Sequence, residues 1–403
     1  MTNTQTGTDA TVNARVLSER VSQFLEKHPP RTTDRLTFLR SRFDAGLAWV
    51  DYPEGLGGCQ SDRSLQPAVE TAFSSAGAPT NRPLDNVIGL GMAAPTLLAF
   101  GTPDQQRRWL RPLWTGEELW CQLFSEPGAG SDLAGLACRA VHDGDDWIVD
   151  GHKVWTTLAH RARWALLVAR TDPAVPKHQG LTYFVCDMTA PGIDVRPLRQ
   201  ITGETEFNEV LLTGVRIPDS HRIGDVGRGW AVAQSTLMNE RVSYTSGQSS
   251  RDAGAIGSLL RLWQARPERR TTGIHDRILQ LWVEAEAARL AVERLGQQQA
   301  AGQPGPEGSG IKLEHARLNQ EISSIELELL GADGLRYLDY TERPPVLSPY
   351  GDSTPGWRYL RSRANSIEGG TSEIMRTIIA ERVLGLPAEP RTDKDTPWKD
   401  LPR

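Results

Sequence analysis

The stretch DDWIVDGHKVWTT, residues 145–157, is where the pattern of this sequence changes from helical to extended. Two runs rich in β-branched and aromatic residues flank the pair Asp150–Gly151, which is typical of a two-residue hairpin turn. The runs RWALLVAR (163–170), LTYFVCDM (181–188) and EVLLTGVRIP (209–218) continue the extended pattern. The sequence therefore predicts a β domain with a hairpin turn at Asp150–Gly151.

Helical periodicity precedes and follows this β domain. The segments ARVLSERVSQFLEKH (14–28) and TPDQQRRWLRPLW (102–114) repeat apolar residues every three or four positions, and the same pattern returns after GDVGRGW (224–230). The predicted fold class is α+β, mostly α. The predicted domains are a helical N-terminal domain (1–118), a β-sheet middle domain (119–225) and a C-terminal helical bundle (226–403) with a polar, Pro-rich tail that packs little.

Composition excludes several classes of protein. The 403-residue chain has 38% hydrophobic residues and a net charge of -5, so no basic surface for nucleic acid is expected. The polar opening lacks the apolar core of a signal peptide, and no apolar run reaches the ~18 residues of a membrane helix. The prediction is a cytoplasmic protein. Its four cysteines are too widely spaced for a metal motif, so no metal is expected.

The loop FSEPGAGSDL, residues 124–133, brings small residues together after a short extended run. Small residues let a backbone approach a ligand closely, and the N–H groups of such a loop can bind phosphate oxygens. An ordinary turn has the same composition. The spacing alone leaves both interpretations open for Gly128, Gly130 and Ser131.

The strand end KVWTT, residues 153–157, carries a second candidate surface. On a strand, Trp155 and Thr157 point to the same side, where a flat ring could lie against the indole and accept a hydrogen bond from the hydroxyl. The alternative is a core tryptophan beside two residues that favour strands.

The segment GWAVAQSTLMNERVSY, residues 229–244, predicts a helix with a carboxylate, Glu240, in its apolar stripe. Burial would raise the pKa of this group above the reference of about 4.3, toward the range of a general base. A structural ion pair with Arg241 is the alternative. The other members of the stripe are Trp230, Ala233, Leu237 and Tyr244.

The segment SIEGGTSEIMRTIIAER, residues 366–382, predicts a helix that begins near Thr371 or Ser372, with Glu373 in its first turn. The free N–H groups of that turn would face back toward Gly369 and Gly370, where a phosphate or a carbonyl oxygen could bind. A helix start eased by glycine is the alternative.

Together these segments resemble the flavin-dependent acyl-CoA dehydrogenases, over nearly the whole chain. The resemblance rests on SEPGAGSD, KVWTT, NER and GGTSEIMRTIIAERVLGLP. It implies a helical domain, a β domain and a four-helix bundle, with FAD held between the last two and across a subunit interface. It also implies a homodimer or homotetramer, and some similar members pair with a second kind of subunit.

The resemblance also assigns roles to residues. The stretch from Gln122 through Phe124 to Ser131 would line the flavin, with Ser125 near the redox-active edge and Gly130 and Ser131 near the pyrophosphate and the substrate. Trp155 and Thr157 would flank the isoalloxazine ring. The residues that would close over the cofactor and substrate are Gly369, Gly370, Thr371, Ser372 and Glu373, with Arg241 also near the substrate.

The catalytic base is where this sequence departs from many members. These read Tyr-Glu-Gly-Thr before the last helix, and Gly369 takes the place of their glutamate, so Glu368 lies one residue too early. Isovaleryl- and long-chain-type members carry the base on a bundle helix, just before an arginine. That place belongs to Glu240, so the helical stripe and the resemblance indicate the same residue.

Two further departures concern the phosphate contacts of the cofactor. The usual Gln-x-x-Gly-Gly-x-Gly segment is replaced by ELLGADG, with Glu328 in the glutamine position, where a carboxylate would repel a pyrophosphate. The usual Arg-x-x-Phe-Gly stretch is missing, and Arg277 is a candidate substitute.

The resemblance implies α,β-dehydrogenation of an acyl-CoA or acyl-carrier thioester. Glu240 would take the α-proton, the β-hydride would pass to FAD, and an electron-transfer flavoprotein would accept the electrons. A flavin-dependent oxidase or oxygenase and a non-catalytic subunit of a hetero-oligomer are the alternatives.

Overall fold

The structure, a computed structural model, describes residues 5–81, 86–243, 250–300, 305–337, 353–391 and 393–402, without the side chains of 5–13, 240–243 and 299–300. Helices flank one mixed sheet in these ranges, which confirms the predicted α+β, mostly α, fold class. The helices before the sheet are α1 Gln5–Lys27, α2 Arg35–Asp44, α3 Gln66–Ser75, α4 Ala94–Phe100 and α5 Pro103–Thr115. The helices after it are α6 Gly229–Ser243, α7 Gly254–Ala265, α8 Thr272–Ala300, α9 Gly308–Leu330, α10 Pro355–Ser362 and α11 Ser372–Ile378.

The strands follow one another between α5 and α6. They are β1 Trp120–Leu123, β2 Arg139–Asp143, β3 Asp146–Thr157, β4 Trp164–Arg170, β5 Leu181–Asp187, β6 Ile193–Leu198, β7 Phe207–Pro218 and β8 Arg222–Ile223. Their order in the sheet is β6-β7-β3-β2-β4-β5-β8, and β1 pairs with β4 in parallel. Every residue of β4 is buried, which explains why its first six residues are all apolar. This arrangement places the loop after β1 next to β3, where the Val154 N–H donates to the Ser125 carbonyl at 2.9 Å.

The predicted hairpin turn at Asp150–Gly151 is wrong. β3 runs through both residues and only shifts its register against β7 there, as a bulge does. The β2–β3 turn lies earlier, where Asp143 pairs with Asp146 and Gly144 has a φ of +66°. The extra residue of this bulge lies on β7, where Gly214 has a φ of +61°. Gly151 has a packing role, because a Cβ there would lie 2.5 Å from the Cys138 sulfur.

Two hydrophobic cores organise the described residues. The larger one joins the N-terminal helices, the sheet and the start of α6, and the smaller one lies between α7, α8 and α9. The Thr236 hydroxyl of α6 lies 2.9 Å from the Thr96 hydroxyl and 3.0 Å from the Tyr183 hydroxyl. These contacts fix α6 against α4 and β5.

The prediction that the C-terminal tail packs little agrees with the exposed residues 387–391 and is wrong around Trp398. The Trp398 N–H donates to the Val175 carbonyl at 2.9 Å, and its indole N–H donates to the Gly135 carbonyl at 3.0 Å. The Arg170 guanidinium lies 4.3 Å from the centre of the Trp398 ring. A single aromatic residue therefore anchors a polar segment that its composition alone does not suggest would pack.

The cysteines of the sheet are buried, and burial raises the pKa of Cys138 to about 11 and that of Cys186 to about 12. Among the described residues, no three His, Cys, Asp or Glu side chains form a group that could hold a metal ion. No helix in the same ranges is long and apolar enough to cross a membrane.

Candidate active site

A buried carboxylate holds the loop that follows β1. Glu126 and Ala129 exchange backbone hydrogen bonds of 3.1 and 3.0 Å, which closes a tight turn. The Glu126 carboxylate accepts the N–H groups of Ala137 and Cys138 at 2.7 and 2.9 Å. The residue is 9% exposed, so its side chain serves the loop rather than solvent.

The predicted ligand face of this loop is open. A Cβ added to Gly128 or Gly130 would meet no atom within 4 Å, and Ser131 beside them is exposed. The Phe124 ring instead packs in the core, 5.8 Å from the Tyr183 ring, so this side chain does not face a cofactor. Gln122 and Ser125 are half-buried at the edge of the loop.

Lys153 completes the support of the loop, and the sequence reasoning did not identify it. Its fully buried ammonium group donates to the carbonyls of Phe124 at 3.0 Å and Val168 at 2.9 Å, and to the Glu126 carboxylate at 2.8 Å. The three hydrogen bonds use the three donors of the ammonium group, as a buried charge requires. One side chain thus ties β3 to β4 and to the loop.

Trp155 lies on the open side of the end of β3. It is 56% exposed and has a φ of +60°, at an irregularity in the pairing of β3 with β7. The alternative of a core tryptophan is therefore wrong. Thr156 is buried and Thr157 half-buried, which agrees with Trp155 and Thr157 sharing the open side. A strained, exposed aromatic residue is a common feature of ligand sites.

The turn before α11 has the conformation that its two glycines allow. Gly369 and Gly370 have φ values of +62° and +95°. Thr371 is the N-cap of α11, and its hydroxyl accepts the Ile374 N–H at 3.2 Å, as the sequence predicts. The Lys312 ammonium group donates to the Gly370 carbonyl.

Glu368 is engaged in structural contacts. Its carboxylate accepts from Arg361 at 3.0 Å and from Asn365 at 2.6 Å. Arg361 also lies 3.5 Å from Glu206, a carboxyl group whose pKa is raised by burial. These contacts support leaving Glu368 without a catalytic role.

The predicted helix around Glu240 is present as α6, but the side chains of Glu240 and Arg241 lie outside the described residues, as does Tyr244. The described part of the stripe has a buried Ala233 and half-buried Trp230 and Leu237. Glu240 remains a prediction of the sequence.

An open pocket of about 380 Å³ brings three predicted segments together. Ser131 of the glycine loop, Trp230 of α6 and Ile374 of α11 line it. The sequence reasoning did not identify Lys177 and Asp393, which also line the pocket from the β4–β5 loop and from the C-terminal segment. The signal for both was weak, because neither belongs to a motif.

The residues fit a cofactor with a flat ring and phosphate groups. Trp155 presents its ring to solvent, and the open glycine loop lies beside it across the Val154–Ser125 hydrogen bond. Thr371 caps α11 and the exposed Glu373 lies in its first turn, and Ile374 of the same helix shares the pocket with Ser131. FAD would therefore be held by the glycine loop, the end of β3 and the start of α11.

The Gly370 conformation predicts the effect of adding a methyl group. Gly370→Ala would place a Cβ 2.5 Å from the buried Met375 methyl group in a backbone conformation unfavourable for alanine. We expect the free energy of unfolding to fall by about 1–3 kcal/mol. Gly296→Ala, at an open position inside α8, should instead raise it by up to about 1 kcal/mol. Urea unfolding of both variants measures the difference, and equal effects would contradict the prediction.

Comparison with known proteins gives consistent matches. Three sequence profiles cover the chain: acyl-CoA dehydrogenase N-terminal domain (residues 11–117), middle domain (121–215) and C-terminal domain (227–384). The chain is 41% identical to acyl-CoA dehydrogenase FadE34 from Mycobacterium tuberculosis over 85% of its own length and 45% of that relative, so it spans about half of FadE34. It is 39% identical to acyl-CoA dehydrogenase IpdE1 from the same organism, over 86% of both chains.

Solved structures agree with this result at the level of the fold. The structure is similar to the Tcur3481–Tcur3483 steroid ACAD, with a TM-score of 0.71 and 22% identity over 94% of this chain and 98% of the other. It is also similar to a chain of the ChsE4–ChsE5 complex from Mycobacterium tuberculosis, with a TM-score of 0.68 and 25% identity over 94% and 98% of the two chains.

Proposed function

This chain belongs to the acyl-CoA dehydrogenase family of FAD-dependent oxidoreductases, and we propose that it removes one hydrogen from each of the α and β carbons of an acyl-CoA thioester. The observation that carries this proposal is the shared pocket of Ser131, Trp230 and Ile374. It brings the glycine loop, the helix of Glu240 and the start of α11 to one ligand-sized space.

Glu240 is proposed as the base that takes the α-proton. It follows Leu237 by three residues on α6, a helix held in place by the Thr236 hydrogen bonds. Glu368 is proposed to have no part in the proton transfer, because Arg361 and Asn365 bind its carboxylate.

Loss of the α-proton places negative charge on the thioester oxygen, which needs hydrogen-bond donors. The backbone of Gly369 and Gly370 is proposed to supply them, because this turn has no side chain to obstruct the substrate. FAD, when bound, would accept the β-hydride and later pass its electrons to an electron-transfer flavoprotein. The absence of a side chain at Gly369 favours a bulky or branched acyl group.

A second candidate is that the chain works as one subunit of a hetero-oligomer. The observation in its favour is an ion pair of 2.6 Å between Arg277 and Glu328, the two residues at which the phosphate-binding segments depart from the family pattern. An arginine held by a carboxylate is poorly placed to bind the pyrophosphate of a cofactor in a neighbouring subunit. A homo-oligomer would then lack one set of phosphate contacts.

Anaerobic bleaching of the flavin tests the proposed reaction. The purified protein is titrated with straight-chain, branched and polycyclic acyl-CoA thioesters, and bleaching by one class identifies the substrate. Oxygen consumption coupled to turnover would favour the oxidase alternative instead. A colourless protein that gains flavin only when it is produced with a second subunit would favour the hetero-oligomer, rather than the homo-oligomer, as the active form.

A further inference from the structure

A segment that returns from α11 to the sheet forms the outer side of the pocket. This returning segment comprises residues 391–402 except Thr392, which lies outside the described residues. Trp398 anchors it through hydrogen bonds to Val175 and Gly135. Arg391 and Asp393 of the same segment line the pocket together with Ser131. The segment is thus attached to the β4–β5 loop around Trp398 and contributes charged groups to the pocket at residues 391 and 393.

The charged groups form a compact network around Lys177. Its ammonium group lies 2.8 Å from a carboxylate oxygen of Asp132 and 2.7 Å from one of Asp393. The Arg391 guanidinium makes two hydrogen bonds to Asp393, of 3.2 and 3.3 Å. Asp393 therefore lies between two cations, and their hydrogen bonds hold its pKa well below the usual value.

This geometry is that of an anion site with an anion already in it. Two cations that converge on one carboxylate can also bind a phosphate, and a guanidinium does so with paired hydrogen bonds. The Lys177 side chain is only 10% exposed, so its ammonium group requires a negatively charged partner beside it. Burial and the neighbouring cations lower the pKa of His178, which disfavours its charged form.

While Asp393 contacts the two cations, the network has no net positive charge to attract an anionic ligand. Lys177 and Arg391 carry two positive charges, and Asp132 and Asp393 carry two negative ones, so the network is neutral. An incoming phosphate would have to displace a carboxylate. Asp393 is the carboxylate that contacts both cations. The segment that carries it is anchored further along the chain, at Trp398.

We propose that Lys177 and Arg391 bind a phosphate group of the acyl carrier and that Asp393 occupies this anion site until the carrier displaces it. The inference rests on the proposed acyl-CoA reaction, because coenzyme A carries phosphate groups beyond its pantetheine arm. The returning segment thereby selects a phosphorylated carrier over a plain thioester.

Two substitutions test this proposal, one that removes a positive charge from the site and one that removes a negative charge. Coenzyme A is titrated by calorimetry into the flavin-loaded protein, with pantetheine as the ligand that lacks phosphate. Arg391→Gln should weaken coenzyme A binding by roughly tenfold, because it removes charge-assisted hydrogen bonds. Asp393→Asn should strengthen it by roughly threefold to tenfold, because it removes the competing charge. Arg216→Gln and Asp143→Asn, which break an exposed ion pair elsewhere, are the matched controls.

The outcomes separate the two proposals. Opposite effects on coenzyme A with unchanged binding of pantetheine support the anion site. If both variants weaken binding, or neither changes it, the anion site is overturned, and bleaching of the same protein by an acyl-CoA would leave the proposed reaction intact. If the wild-type protein neither binds coenzyme A nor bleaches with any acyl-CoA, both proposals fail together. Thermal unfolding of each variant excludes a folding defect as the cause.

Discussion

Glu240→Gln is expected to slow the anaerobic reduction of the flavin by acyl-CoA by roughly 10²- to 10⁴-fold, the usual contribution of a general base. Glutamine keeps the size and polarity of the side chain but cannot take the α-proton. The yellow cofactor should remain bound, because the proposed flavin contacts lie on the glycine loop, β3 and α11 rather than at position 240. Stopped-flow absorbance measures the rate, and the spectrum before mixing measures the flavin content.

The control for this prediction is Glu368→Gln. Glu368 already binds Arg361 and Asn365, so its loss should lower stability slightly and leave the rate of bleaching within a few-fold of the wild type. Normal bleaching in Glu240→Gln together with none in Glu368→Gln would reverse the assignment. Such a result would mean that the turn before α11 rearranges when the substrate binds.

The sequence predicted the fold class because its two periodicities change sharply. The apolar spacing of three and four residues before residue 115 corresponds to helices, and the runs that became β4, β5 and β7 are rich in β-forming residues. Thr371 was recognisable as a helix cap, since a hydroxyl before a polar first turn is a strong local signal. Features set by neighbouring residues can be predicted in this way.

Features set by distant residues could not be predicted. Asp150 and Gly151 have the composition of a turn, but β3 continues through them, with Gly151 next to Cys138 and the bulge in the opposite strand β7. The returning segment is polar, and its position depends on contacts of Trp398 with Gly135 and Val175, which no local pattern reveals. The pocket that it helps to form was therefore hidden as well.

Lys153 is an intermediate case, because the signal existed in the sequence. Trp147, Val149 and Lys153 occupy alternate positions of β3, so the period of two places the lysine on the buried side with the two apolar residues. Its partner Glu126 lies in a separate segment, and only the fold brings the two charges together. A lysine on a buried face indicates such a partner without naming it.

Lys153→Met is therefore expected to lower the free energy of unfolding by about 3–5 kcal/mol, the usual cost of leaving one member of a buried ion pair alone. Methionine retains much of the apolar stem but leaves the Glu126 carboxylate without its ammonium partner and removes one donor from each of two carbonyls. Because the same contacts hold the loop of Gly128 and Gly130, the variant should also lose flavin. Urea unfolding and flavin absorbance measure the two effects.

A double substitution shows whether the buried charge is the cause. Lys153→Met with Glu126→Gln removes both charges, so it should be less destabilised than the sum of the single variants, with a coupling of about 1–3 kcal/mol. Arg216→Gln breaks an exposed ion pair with Asp143 and should cost no more than about 1 kcal/mol. Strictly additive effects of the two buried substitutions would mean that Lys153 stabilises the loop through its carbonyl contacts alone. In that case Glu126→Gln by itself should leave flavin binding intact, whereas a coupled pair predicts that it weakens flavin binding as Lys153→Met does.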